Sequence, residues 1–237
     1  DIVFLGIENG TIRLGIAGTG DRLTIEQMGN EDDNAIEQFV FADGAVWNTA
    51  EIFARAGQGT AGNDRIEFGV WMDRTLTVRG GQGDDTLISG NGDTTFVFNR
   101  GDGRDTIDVP NPWNSLDTLS FGAGIAPDDI IVTIQGDDLL VRIRGGEDRI
   151  LIKGQANEIL DDIDRVQFAD GTQWDLAQFR SRIVSEDGAQ RLLHPGLNAD
   201  PFASVIFGGA GEEPGGGEPG GGEPGGGEPG GGEPGGT

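Results

Sequence analysis

Three turns in this chain present backbone and carboxylate oxygen and little else: Gly59-Thr60-Ala61-Gly62-Asn63-Asp64, Gly80-Gly81-Gln82-Gly83-Asp84-Asp85 and Arg100-Gly101-Asp102-Gly103-Arg104-Asp105. Each is followed, two positions on, by a large apolar residue: Ile66, Leu87 or Ile107. Carbonyls and carboxylates are hard donors, and calcium takes six to eight such oxygens in a loose geometry. Glycine lets the turn adopt positive φ and turn its carbonyls inward with no Cβ in the way. One turn supplies about half a coordination shell, so a second must stack on it at strand spacing, roughly 4.8 Å. Asp64, Asp85 and Asp105 are 21 and 20 residues apart. Two nine-residue units would give about 18, so each coil is expected to carry a small bulge.

The expected ligands follow. Asp64, Asp85 and Asp105 supply carboxylates, and Gly59, Ala61, Gly62, Gly80, Gln82, Gly83, Arg100, Asp102 and Gly103 supply carbonyls. A poorer second column runs through Asp73 and Asp93: Ser89 to Thr94 puts threonine where the ligand should stand, and Phe68 to Asp73 keeps one glycine and the aspartate. Glycine and aspartate also make ordinary hairpin turns, but three copies in register exceed what turn preference produces. Gly57 to Gly62 spells GxGxxG, the dinucleotide fingerprint, yet it follows an expected helix instead of a strand and opens no helix. Arg100-Gly101-Asp102 matches an integrin-type tripeptide and, lying inside a metal turn, is read as accidental.

Elements must hold these turns in register. Thr86-Leu87-Ile88 reads as a short strand with Leu87 inward. Further on, Ile130 to Gln135, Leu139 to Arg144 and Arg149 to Lys153 alternate in polarity between the turns Gly136-Asp137-Asp138 and Gly145 to Asp148, the pattern of an antiparallel meander. Arg165 to Phe168 is a further strand, and Trp174 to Arg182 a short helix with Leu176 and Phe179 facing the sheet. The chain is also duplicated. Asp21-Arg22 recurs as Asp148-Arg149, Phe41-Ala42-Asp43-Gly44 as Phe168-Ala169-Asp170-Gly171 and Trp47 as Trp174, all offset by 127, while Asp1-Ile2-Val3 matches Asp129-Ile130-Ile131 after one gap. Trp47 to Arg55 should therefore repeat the helix, and the first copy is expected to begin inside a repeat of a longer parent. Stacked repeats of this kind mainly touch their neighbours.

Gly80 to Ile88 fits GGxGxDxUx at every defined position, the calcium-binding nonapeptide. Asn63 to Asp108 resembles the haemolysin-type calcium-binding repeats of RTX proteins. Thr95 to Ile107, Phe121 to Ile125 and Phe168 to Thr172 resemble the module associated with them, so that the likeness covers roughly residues 1–180. The resemblance implies an all-β protein: a parallel β-roll with calcium between its coils, followed by a small antiparallel sheet with a short capping helix, in tandem. It also implies secretion from a Gram-negative bacterium by type I export, whose far C-terminal signal is not legible here. The expected organisation is 1–55, the second half of a preceding module; 56–110, the roll; 111–182, antiparallel sheet and helix; 183–211, an irregular connector; and 212–237, a disordered linker of five EPGG units. That tail has nothing to bury, its glycines keep it flexible and its glutamates extend it.

Composition narrows the partners. Forty-one acidic against sixteen basic residues leave a net charge of −25, the opposite of a nucleic-acid footprint. Lys153 is the single lysine, which a saline habitat or a GC-rich genome would explain equally. No cysteine is present, so disulfides and thiolate sites are excluded. No apolar stretch is long enough for a membrane span or a signal h-region. Catalysis is not expected: tyrosine and cysteine are absent, His194 stands alone beside Pro195, and calcium turns already account for most carboxylates. The expected function is a calcium-dependent structural module, a spacer, stalk or folding switch touching neighbouring repeats. The alternative is a binding module for a cell-surface glycan or protein, using Trp71 and Trp113, which lack counterparts in the duplicate.

Overall fold

The computed structural model describes residues 2–26, 36–69, 73–110, 115–156 and 163–184. Its strands form two long sheets and a hairpin. The first copy contributes β1 (Ile2–Glu8), β2 (Thr11–Ile16) and β3 (Arg22–Ile25), then β4 (Gln38–Val40), β5 (Val46–Asn48) and α1 (Thr49–Ala56). A central stretch follows with β6 (Arg65–Glu67), β7 (Leu76–Val78), β8 (Thr86–Ile88), β9 (Thr94–Phe98), β10 (Arg104–Asp108) and β11 (Thr118–Phe121). The second copy is β12 (Ile130–Gln135), β13 (Asp138–Ile143), β14 (Arg149–Ile152), β15 (Arg165–Phe168), β16 (Gln173–Asp175) and α2 (Leu176–Arg180).

In the central stretch odd and even strands go to opposite walls. β6, β8 and β10 pair in parallel on one side, β7, β9 and β11 on the other. Each strand is short because glycine-rich turns interrupt it every few residues, and alternation sends every second side chain inward. Inward positions align across the ladders. Ile7, Ile66, Leu87, Ile107, Ile152 and Leu139 are successive register partners, none more than 2% exposed. Val78, Phe96, Leu119, Val166 and Trp174 are successive partners on the facing wall, all buried. Burial of such side chains stabilises by roughly 1.5–3 kcal/mol each, so these two apolar columns hold the acidic turns in register.

The meander is not a sheet apart from the coils. β14 adds to β10 in parallel and β15 adds to β11, so the second copy extends both walls. The first copy joins differently, through β1, which pairs with β6 at Ile7 and Ile66. The nine-stranded order is therefore β12-β13-β14-β10-β8-β6-β1-β2-β3, and the five-stranded order β16-β15-β11-β9-β7. Parallel pairing here is a physical necessity: a chain that always winds the same way lays successive strands in the same direction.

Both copies repeat each other in detail. Phe41 and Trp47 meet edge-on with centroids 4.6 Å apart, as do Phe168 and Trp174. Arg55 lies 4.0 Å above Trp47 and Arg182 4.5 Å above Trp174. Asn48 with Glu51 and Asp175 with Gln178 form equivalent capping boxes. The single gap in the duplication is a β-bulge, with register passing from Phe4–Leu14 to Gly6–Arg13 and leaving Leu5 over. Both helices are shorter than their tryptophans suggested, because Trp47 and Trp174 lie on β5 and β16 instead. Phe179 is fully buried as expected, and Leu176 is half-buried.

Candidate metal centre

Asp64, Asp85 and Asp105 stand one above another at the entry to β6, β8 and β10. The N–H of Asp64 donates to Asp85 Oδ1 at 2.8 Å, and that of Asp85 to Asp105 Oδ1 at 3.2 Å. Asp85 and Asp105 are 1% and 3% exposed, whereas Asp64 is half-buried. Asp64 Oδ2 accepts from both the N–H and the hydroxyl of Thr60 at its outer end. Asp85 Oδ2 is buried with no hydrogen-bond partner. Among the described residues only Ser89 Oγ, beyond β8, shares that condition. A buried carboxylate oxygen without a donor is costly, and a cation beside it would offset that cost.

The glycines bring carbonyl oxygens into the same layer. A Cβ at Gly81, where φ is +98°, would fall on the Thr60 carbonyl oxygen. At Gly59 it would meet the Gly80 carbonyl, and at Gly103, where φ is +104°, the Gly83 carbonyl. Successive turns therefore approach one another more closely than any side chain permits. Gly83 and Gly103 each give their carbonyl to a neighbouring N–H, from Arg104 and Arg149, while Asp102 gives its own to Gly83. Thr60 was not among the expected ligands. Its carbonyl lies against Gly81, where a position-by-position copy of the nonapeptide pattern would not place a donor.

Charge accumulates between these layers. Burial pushes the Asp105 carboxyl up to about 7, opposed by the hydrogen bond from Asp85 that favours ionisation and reinforced by the smaller effect of the charges of Asp85, Asp102 and Asp84. Burial likewise raises Asp85, reinforced by Asp64, Asp102 and Asp84. Asp102 is raised by burial too, although Asn99 donates to its carboxylate from both the backbone and the side chain. Among the described residues no three carboxylate or imidazole groups converge on one point. A cation here would be held by one or two carboxylates completed with carbonyls, which suits calcium and not a nitrogen- or sulfur-seeking metal.

The second column differs from expectation. Asp73 and Asp93 are exposed. In the ladder β7-β9-β11, Leu76 and Thr94 occupy the position corresponding to Asp64 and Asp85, and Asp117 continues it. Thr94 donates its N–H to Asp117 Oδ1 at 2.8 Å, and Asp117 donates to Asp164 Oδ2 at 2.8 Å, the same arrangement as in the first column. Asp117 is fully buried, and its carboxyl rises to about 6 chiefly through burial. Asp93 accepts from Leu116 one residue outside that position, as Asn63 accepts from Asp84.

Arg100 has a further use. Its guanidinium donates to the Gly124 carbonyl at 2.5 Å, the Arg144 carbonyl at 2.7 Å and Asp129 Oδ2 at 2.7 Å, clamping the third turn to the second copy. Gly101 adds an N–H to Asp148 Oδ2 at 2.9 Å. Trp71, Trp113, His194 and residues 185–237, including the EPGG tail, lie outside the described residues.

The profile of the haemolysin-type calcium binding protein related domain matches this chain twice, at residues 12–51 and 138–178. The matches start 126 residues apart and end 127 apart, in step with the duplication. They cover β2 to β5 and the start of α1 in the first copy and β13 to β16 and the start of α2 in the second, and leave β1, β12 and the turns between the copies outside. No curated protein matches the chain. No helix among the described residues is long and apolar enough to cross a membrane.

Proposed function

We propose that the chain holds calcium ions between the stacked turns at residues 59–105, in a parallel β-roll, a reading supported by the match of two of its segments to the haemolysin-type calcium binding protein related domain. Asp64, Asp85 and Asp105 would be the carboxylates, with carbonyls from the glycine turns around them. When bound, the ion supplies positive charge between layers that otherwise repel. Two carboxylates about one strand spacing apart repel by roughly 1 kcal/mol at the dielectric of water and by several-fold more at protein-like values.

The module then acts as a secreted RTX-type spacer, stalk or folding switch in a larger exported protein, touching neighbouring repeats, with no catalytic role of its own. Its roll is loose at low calcium and ordered at the roughly 0.1–1 mM where extracellular modules typically fill. A site absent from the unfolded chain turns binding free energy into folding free energy. The observation that carries this reading is Asp85 Oδ2, buried without a donor among like charges. Circular dichroism of the whole chain through a calcium titration tests it: a saturable gain of strand signal, reversed by chelation, is expected. An unchanged spectrum and melting temperature would end it.

A further inference from the structure

One difference separates the two copies. In the second, a single coil lies against both walls, its strand β10 on β14 and its strand β11 on β15. The counterparts β3 and β4 carry no coil: among the described residues β3 pairs with β2 and β4 with β5, each ending its sheet.

Side chains register the same gap. Leu23 is 56% exposed where its counterpart Ile150 is at 0%, and Ile16 is 46% exposed where Ile143 is at 2%. Phe168 stacks on Phe121 of the coil beside it, centroids 5.3 Å apart. Its counterpart Phe41 keeps the edge contact with Trp47, yet among the described residues no ring stands where Phe121 would. Two open strand edges bordered by apolar side chains invite pairing.

We propose that β3 and β4 together form a docking end for one further roll coil of the Arg104–Phe121 kind, joined ahead of β1 as that coil is joined ahead of β12. The occupant follows from the second copy, where the same two strands are covered in a defined register. Arg104 faces Arg149 there and Thr118 faces Arg165. Transferred by the duplication, the first strand of the coil adds in parallel at Arg22 and the second at Gln38. The connection fits as well, because Gly122 to Asp129 carries the chain from β11 to β12 and Asp1 holds the place of Asp129 in the repeat. A glycan or an unrelated protein has no reason to match two edges at this separation. Strand pairing defines the surface, so the inference extends beyond the calcium reading without depending on it.

The experiment places a copy of residues 56–128 directly ahead of Asp1 in the full chain and follows backbone hydrogen exchange in calcium and after chelation. Exchange at Leu23 to Ile25 and Phe39 to Val40 is expected to slow by about tenfold or more, towards the rate at Ile150 to Ile152. Leu23→Lys should restore fast exchange at these edges and lower the melting temperature of the extended protein, while leaving that of the original chain unchanged. Unchanged exchange at both edges, or a Leu23→Lys change that costs both proteins equally, overturns the proposal. Protection that grows with concentration in the original chain also overturns it, since the occupant would be a second molecule. If the edges of the extended protein stay protected after chelation and calcium adds nothing, docking stands and the calcium reading falls; protection that chelation removes supports both.

Discussion

Asp85 gives its backbone N–H to Asp105 Oδ1 while its own Oδ1 receives the N–H of Asp64, so the middle acid is tied both to the coil before it and to the coil after it. The second oxygen of Asp85 is left buried with no donor. The hydrogen bonds fix where the carboxylates stand without neutralising them. Stacking and repulsion are thus built from the same residues.

Chelation should loosen the whole chain of coils at once, since the turns share acids between layers. Differential scanning calorimetry is expected to give a melting temperature that rises with calcium and falls to a common floor in EDTA. Identical thermograms in both conditions would contradict this.

Asp85→Asn should separate the two consequences of the charge. Asparagine can still accept the Asp64 N–H, so the register survives, but one acid leaves the crowded layer. Without calcium the variant should melt a few degrees higher, about 3 °C. Its calcium affinity should fall by about tenfold or more, ~1.4 kcal/mol. The loss should exceed that of Asp64→Asn, because the middle acid borders both layers. Isothermal titration of the two variants compares them.

The metal-free protein should lose stability as pH rises. Asp105 is held up to about 7 and Asp117 to about 6, whereas an unfolded aspartate titrates near 3.9. Between those values these two acids bind more protons in the folded chain than in the unfolded one, so their contribution to stability is fully present below about pH 4 and declines until about pH 7. Asp105→Asn should flatten part of that decline. Calcium should oppose it, since binding needs the deprotonated acids and releases their protons. Chelated melts at pH 4, 5, 6 and 7 for wild type and variant give the comparison.

Two glycines with similar backbone make a paired test. Gly81 has φ +98° and would press a Cβ onto the Thr60 carbonyl, while Gly171 has φ +90° with nothing within 4 Å. Gly81→Ala should cost about 2–4 kcal/mol, conformational strain and overpacking together. Gly171→Ala should cost only the strain, about 1–2 kcal/mol. Urea denaturation in calcium measures both, and equal losses would show that the close approach at Gly81 carries no weight.

The first column was readable because Asp64, Asp85 and Asp105 end glycine turns of nearly constant spacing. Asp117 was not. The stretch Asn111 to Leu116 ahead of it contains no glycine, and Asp164 sits in the acidic run Asp161 to Asp164, where no position stands out. Only the ladder Thr94, Asp117, Asp164 reveals them, through hydrogen bonds spanning 23 and 47 residues. The meander strands were visible in their alternation of polarity. What they join was invisible, because parallel pairing of Arg104 with Arg149 crosses 45 residues and leaves no local period. The separate small sheet expected from the pattern is therefore an extension of the coils. Leu5 shows the opposite case, where one extra residue in the duplication already marked the bulge.

From β1 to its counterpart β12 the long sheet advances by six strands, about 29 Å at 4.8 Å each. The 127-residue repeat thus converts into a fixed increment of reach, near 0.23 Å per residue against roughly 3.3 Å for an extended chain. A polypeptide made this way is an inefficient rope and an accurate ruler: its length is set by counting strands along the one sheet that runs through both copies.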